Sequence, residues 1–263
     1  MIKLCVAGAL GRMGKAVIQE ATSKNFEIVG AVEAKGHPEI GKTLKELGIG
    51  NADVCVVGPD KLCDAVAHAD IYITFTSPES EVLNIPLVAK LGKKIVMGTT
   101  GLSNEQNQQI RQAVEGKVAA VFSSNYSLGI NLLFKLAEDL KSFPQEYNFS
   151  ISEIHHTAKK DAPSGTALKL GEIISGIRGY TSTVHGRQGT SLRKPDELEI
   201  EAMRAGGVPG IHTLIVAGPF EMLRIEHVAF SRSVLAQGAI YAAEWLSRQS
   251  NPGIYSMATV LGL

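Results

Sequence analysis

A strand-like apolar run, Lys3–Ala7, leads directly into Gly-Ala-Leu-Gly-Arg-Met-Gly at 8–14, and a helix-patterned stretch, Met13–Thr22, follows without a linker. Glycines at 8, 11 and 14 allow a tight turn and close helix–strand packing, so this junction reads as the opening of a βαβ unit. Further apolar runs, Ile28–Val32, Val54–Val57, Ile71–Phe75, Lys94–Met97 and Ala119–Phe122, are apolar on both faces, as strands of a sheet covered on both sides must be. Between them Leu62–Ala67, Ser80–Leu91 and Asn104–Val114 carry helical patterning. Strands alternating with helices predict a Rossmann-like, doubly wound parallel sheet over residues 1–125.

The pattern changes after Asn125. Asn131–Lys141 and Thr166–Ser175 read as helices, and Asn148–His155, Glu199–Arg204, Thr213–Ala217 and Met222–Phe230 as strands with turn-rich connections. Alternation along 222–230 gives that sheet a solvated face. A second, α+β domain with a mixed sheet is expected over 126–232. The Gly/Ser/Thr stretch 176–196, with Arg178, Arg187, Arg193 and Lys194, is expected to be a long functional or disordered loop. The final helix, Val234–Arg248, has the content of a packed element and is expected to return to the first domain, so that 233–263 complete it.

Composition excludes several function classes. The 263 residues carry 26 basic and 26 acidic side chains, a balance that argues against a nucleic-acid or anionic-membrane surface. Lys3 ahead of apolar residues resembles the start of a signal peptide, but Gly8, Gly11 and Arg12 break the run. No apolar run approaches the roughly 18 residues of a membrane span. Cys5, Cys55 and Cys63 form no CxxC pair and are expected to be buried free thiols of a cytoplasmic protein.

The glycine loop points to a dinucleotide. A helix N-terminus offers N–H groups and partial positive charge to a pyrophosphate, and Arg12 adds a full charge. The candidate contacts are Gly8, Ala9, Leu10, Gly11, Arg12, Met13 and Gly14, in a GxxGxxG rather than the commoner GxGxxG spacing. Glu33, about 20 residues on at the end of the second strand, is positioned to accept ribose hydroxyls. Phe75-Thr76-Ser77-Pro78, Gly98-Thr99-Thr100-Gly101 and Ser123-Ser124-Asn125-Tyr126 end successive strands, where open α/β sheets bind ligands. Gly98, Thr99, Thr100, Ser123, Ser124, Asn125 and Tyr126 are therefore candidates for the nicotinamide half.

The densest chemistry lies at 153–166, Glu-Ile-His-His-Thr-Ala-Lys-Lys-Asp-Ala-Pro-Ser-Gly-Thr. His155 and His156, leaving a strand, point to opposite sides. No HxxxH spacing or nearby cysteine completes a metal site, and none is expected. Lys159 brings a cation, and Ser164, Gly165 and Thr166 open a helix whose N–H groups form an anion nest. Histidine, lysine and nest on one loop suit a small substrate bearing carboxylates, protonated while a hydride arrives. Arg204, His212, His227 and Arg232 read as structural or rim residues.

On these motifs the chain resembles the dihydrodipicolinate reductases, essentially end to end. The resemblance rests on Gly-Ala-x-Gly-Arg-Met-Gly at 8–14, Gly-Thr-Thr-Gly at 98–101, Asn125-x-Ser127-x-Gly129-x-Asn131 and Arg204-Ala-Gly-x-x-x-Gly-x-His212. Ser231-Arg232 with Gly238-Ala239 agree. The most specific motif is Glu153-x-His155-His156-x-x-Lys159-x-Asp161-Ala-Pro-Ser-Gly-Thr-Ala167. The resemblance implies hydride transfer from NADH or NADPH to C4 of a cyclic, unsaturated imine dicarboxylate in the diaminopimelate route to lysine. It implies His155 as proton donor assisted by Lys159, with His156, Ser164, Gly165 and Thr166 holding the carboxylates. It also implies a homotetramer built through the sheets of the second domains.

Three positions depart from commonly seen members: Leu10 for a small residue, Ser77 where some have arginine, and Ala34 where an arginine would help bind a 2′-phosphate. Glu33 repels such a phosphate, while Lys35 and Lys15 partly compensate, so NADH preference or dual use is expected. An amino-acid dehydrogenase or a dinucleotide-sensing protein would share the first 125 residues but has no need of the 153–166 segment.

Overall fold

The computed structural model describes residues 1–24 and 26–263. In chain order, β1 (Lys3–Ala7), α1 (Arg12–Ser23), β2 (Glu27–Val32), β3 (Val56–Val57), α2 (Leu62–Ala67), β4 (Ile71–Thr74), α3 (Pro78–Lys90), β5 (Lys94–Met97), α4 (Asn104–Val114) and β6 (Ala119–Phe122) come first. Then follow α5 (Leu128–Asp139), β7 (Asn148–His155), α6 (Gly165–Arg178), β8 (Ser182–Val184), β9 (Glu197–Arg204), β10 (Gly210–Ala217) and β11 (Met222–Ala229). Finally come α7 (Ser233–Ser247), β12 (Gly253–Tyr255) and α8 (Met257–Leu261). The chain divides into two compact units, Met1–Ser127 with Arg232–Gly262, and Leu128–Ser231 with Leu263.

The first unit is a seven-stranded sheet in the order β12-β6-β5-β4-β1-β2-β3, with every pairing parallel. Strands β1 and β4 are buried on both faces because helices cover both sides, which is why their sequences are continuously apolar. The chain moves outward from β1 through β2 and β3, then returns to place β4 on the other side of β1. The crevice at that reversal, beyond the carboxyl ends of the strands, is where open sheets of this kind bind ligands. The final segment belongs to this unit: α7 packs beside α1, and β12 adds a seventh strand against β6.

The second unit is a five-stranded sheet, β11-β10-β7-β9-β8, antiparallel at β11/β10 and β10/β7 and parallel at β7/β9 and β9/β8. It is therefore mixed, as expected. Phe149, Ile151, Leu198, Ile200, Leu214 and Val216 project from one face into a core completed by α5 and α6. The opposite face carries Ser152, Met203, Ile211, Ile215, Met222 and Val228, all half-buried or exposed. No helix of this unit's core lies on that side.

Several expectations need correction. The strand expected over 54–57 shrinks to Val56–Val57, because residues 34–55 form successive turns. Cys55, outside that strand, is exposed, as is Cys63; only Cys5 is a buried free thiol. The 176–196 stretch holds the end of α6 and the strand β8. It is tied down by Arg193, which donates to Asn148 Oδ1 at 2.6 Å and to the Glu197 carbonyl at 2.6 Å. Strand β12 and helix α8 carried too few residues to show a period. Among the described residues, no helix is long and apolar enough to cross a membrane, and no three His, Cys, Asp or Glu side chains cluster as metal ligands.

Candidate active site

The glycine loop is packed to backbone contact on two sides. Gly8 takes a φ of +70°, and a Cβ there would lie 2.5 Å from the Phe75 carbonyl oxygen. A Cβ on Gly14 would lie 2.8 Å from Ala9 Cα and collide with the Gly8 carbonyl, so the first turn of α1 sits directly on the loop. Gly11 is the N-cap and supplies no side-chain acceptor, and the first turn holds no acid. The N–H groups at the start of α1 are thus left for an external anion, which fits a pyrophosphate.

Glu33 is braced against this loop. Its Oε2 accepts the Leu10 N–H at 2.8 Å and its Oε1 accepts the Ala34 N–H at 2.8 Å. The Leu10 N–H is therefore spent on the protein and not on a phosphate. Each carboxylate oxygen keeps a lone pair for a ribose hydroxyl. At the other side of the reversal, the Phe75 ring occupies the space a Cβ on Gly98 would need. Thr99 is buried and its hydroxyl accepts the Thr76 N–H at 2.9 Å; Thr100 is exposed. Ser123 donates to the Asn125 carbonyl at 2.7 Å, closing a turn that leaves Ser124 exposed.

Tyr126 turns its side chain inward. Its side chain is fully buried, with the hydroxyl 2.8 Å from the Met97 carbonyl and 2.9 Å from that of Val121. Its ring meets Phe75 edge-on at 5.8 Å, and Gly238 of α7 packs on its carbonyl. The phenol is a wall of the core, and only its backbone is left for a ligand.

In the second unit, Glu153 is the hub. Glu153 and His155 lie two apart on β7 and so share the helix-covered face. Glu153 is fully buried and bonds His155 Nδ1 through Oε2. Arg204 grips the same carboxylate with two nitrogens, at 3.0 and 3.1 Å, and the Ser164 N–H donates to Oε1 at 3.1 Å. Burial pushes the Glu153 carboxyl up, but Arg204, His155 and the Ser164 N–H together bring it below the usual range, so it is a carboxylate at neutral pH. Arg204 also donates to the Asp161 carbonyl at 2.7 Å, anchoring the loop after β7.

With Nδ1 held, the His155 imidazole turns Nε2 toward Gly210, where a Cβ would approach it to 3.0 Å. The His212 ring stands edge-on to it at 5.0 Å. His212 is buried, its Nε2 lies 3.1 Å from Ser164 Oγ, and burial followed by the neighbouring His155 holds its pKa down to about 3. It is neutral across the physiological range. Ser164 caps α6, its Oγ accepting from the Ala167 N–H at 3.2 Å. Gly165 is exposed with open space around its Cα, Thr166 is half-buried, and the first turn carries no acid. Lys159 reaches Asp161 at 2.8 Å to both oxygens, so its charge is shared with a carboxylate. His156 follows the last residue of β7 and is half-buried.

Sequence reasoning singled out His155 and Ser164 but not the groups that hold them. Glu153 could have been found from its i, i+2 relation to His155. Arg204 and His212, read as rim residues, join the cluster through strand register: Arg204 pairs with His155 and His212 with Glu153. His227 lies opposite His212 and packs where a Cβ on Gly129 would sit, and burial lowers its pKa. Arg232 is the N-cap position of α7, in the first unit.

Residues 2–126 match the family model for the dihydrodipicolinate reductase N-terminus, and residues 129–261 match that for its C-terminus. A 4-hydroxy-tetrahydrodipicolinate reductase of Methanosarcina barkeri is 41% identical over 272 residues, covering 100% of both chains. One of Methanocaldococcus jannaschii is 42% identical over 270 residues, covering 100% of this chain and 98% of that one. The fold is similar to a dipicolinate-bound dihydrodipicolinate reductase of Paenisporosarcina sp. TG-14, with a TM-score of 0.76, 22% identity and 97% of each chain covered. Matched through both of its units and along its whole length, this chain belongs to the dihydrodipicolinate reductase family and is an oxidoreductase.

Proposed function

We propose that the protein reduces dihydrodipicolinate, supplied as 4-hydroxy-tetrahydrodipicolinate, to tetrahydrodipicolinate in the diaminopimelate route to lysine, as its named relatives do. The observation that carries this reading is the Glu153–His155 pair, clamped by Arg204 and adjoining the start of α6.

The reduced nicotinamide, when bound, supplies a hydride. Within Gly8–Gly14, the N–H groups of Arg12, Met13 and Gly14 at the start of α1 and the Arg12 side chain would hold its pyrophosphate, Glu33 would accept ribose hydroxyls, and the ends of β4, β5 and β6 would receive its nicotinamide half. The substrate's carboxylates face the N–H groups of Gly165 and Thr166 and the hydroxyls of Ser164 and Thr166, with His156 and Lys159 adding donors. Loss of water from the 4-hydroxy precursor gives the dihydro ring, and reduction adds to it a hydride at C4 and one proton. His155 gives that proton from Nε2, because Glu153 occupies Nδ1 and fixes the ring. Lys159 assists by donating hydrogen bonds to the substrate, and Asp161 keeps its ammonium on the loop.

Glu33 beside Ala34 supports a preference for NADH or the use of both cofactors, since a carboxylate braced at the ribose repels a 2′-phosphate. The bare face of the five-stranded sheet supports a homotetramer in which second units pair through their sheets. The enzyme works in the cytoplasm.

Oxidation of NADH and NADPH, followed at 340 nm with freshly generated substrate, tests the reading. His155→Gln is expected to lower kcat by about 10²-fold or more with NADH binding intact. Lys159→Ala is expected to lower kcat and raise the KM for the dicarboxylate. An inactive wild-type chain overturns the reaction, a fully active His155→Gln overturns the proton donor, and a strong NADPH preference overturns the cofactor assignment.

A further inference from the structure

Glu81 is a fully buried carboxyl inside α3, in the first unit, and no motif draws attention to it. One of its oxygens, Oε1, accepts three hydroxyls: Thr74 at 2.6 Å, Thr76 at 2.6 Å and Thr99 at 2.5 Å. Its other oxygen, Oε2, is buried without a hydrogen-bond partner among the described residues. Thr74 and Thr76 flank Phe75 at the end of β4, and Thr99 follows the end of β5. Burying a carboxyl is costly, and a well-packed apolar side chain would hold two strand ends together at least as well. What the acid adds is direction.

Each of the three hydroxyls donates to Oε1. All three hydroxyl hydrogens therefore point at Glu81. Thr99 accepts the Thr76 N–H at 2.9 Å, so its proton is committed inward and one lone pair remains. Thr76 also spends its proton on Glu81 and keeps lone pairs. The hydroxyls at the carboxyl ends of β4 and β5 can thus accept hydrogen bonds but not donate them.

We propose that Glu81 is a positioning residue that, by orienting Thr76 and Thr99, makes the nicotinamide end of the cofactor site a hydrogen-bond acceptor selective for the cofactor's carboxamide N–H. The inference rests on the reading that the nicotinamide half lies at the ends of β4 and β5.

Affinity for NADH is compared with that for reduced 3-acetylpyridine adenine dinucleotide, in which a methyl ketone replaces the amide, by fluorescence titration. Wild-type protein is expected to favour NADH by about tenfold, the scale of one hydrogen bond. Glu81→Leu is expected to bring the ratio close to one, and Glu81→Gln, whose amide oxygen still accepts, to retain most of it. A merely structural role would weaken both ligands alike and leave the ratio unchanged, which overturns the proposal. Should Glu81→Leu not fold, Thr99→Val is expected to lose the preference and Thr99→Ser to keep it; equal ratios overturn the proposal. If wild-type protein binds NADH without preferring it to the analogue, the proposal alone fails. If it binds neither ligand, the cofactor reading fails with it.

Discussion

Acid should destabilise this protein through His212 before most of its carboxylates titrate. Burial, and after it the charge of the neighbouring His155, hold the His212 pKa down to about 3, against 6.5 for an exposed imidazole. The folded chain keeps His212 neutral across that window, whereas the unfolded chain protonates it. The unfolded state therefore binds more protons between pH 6.5 and 3, and stability is lost as pH falls through that window. At pH 5 the unfolded imidazole is about 1.5 pH units below its midpoint, and each unit is worth about 1.4 kcal/mol, so folding loses about 2 kcal/mol. Urea unfolding by circular dichroism at pH 7.5 and 5.0 measures this in wild type and in His212→Gln, whose amide can still meet Ser164 Oγ. Other groups titrate in both proteins, so the difference between their acid losses isolates His212. Wild type should lose about 2 kcal/mol more than the variant. Equal losses would refute the burial argument.

Three further perturbations follow from the same geometry. Glu153→Gln removes the anion that Arg204 grips and the partner of His155 Nδ1, and should cost about 3 kcal/mol of stability and about 10²-fold in kcat. NADH titration of that variant should be nearly normal; a kcat within twofold of wild type would separate Glu153 from the chemistry. Gly14→Ala puts a Cβ against Ala9 Cα and the Gly8 carbonyl, and should cost about 1–3 kcal/mol and weaken NADH binding. Unchanged melting and titration curves would show that the loop has slack. Gly210→Ala crowds His155 Nε2 and should lower kcat by about tenfold without changing NADH affinity; an unaffected kcat would mean that the ring moves without consequence.

What could be read in advance was whatever depends on near neighbours in sequence. The doubly wound sheet follows from apolar runs set between helical periods, and the glycine junction and the 153–166 segment carry their chemistry within fourteen residues or fewer. Strands of two or three residues, such as β3, β8 and β12, are held by the strands beside them and have no period of their own. The clamp on Glu153 was hidden for a different reason. Arg204 is 51 residues from Glu153, and only the parallel register of β7 on β9 brings them together. Tyr126 shows another limit: its place after a strand end does not say which way the ring turns, and the ring turns inward. Glu81 lies in the first turn of a helix with no motif around it, and only the fold brings three threonines from the ends of β4 and β5 to it.

The seventh strand of the first sheet bears on how the protein is made. Residues 128–231 form a unit of their own, inserted between the two segments of the other. During synthesis the inserted unit has all of its strands while the first sheet still lacks β12, and its glycine loop waits beside an α1 whose neighbour α7 has not yet been translated. The part of the chain that begins first is thus completed last. The apolar surface that α7 covers, around Tyr126 and the far side of α1, is open on the ribosome until residues 232–262 emerge, which makes that interval the one in which a chaperone has most to hold.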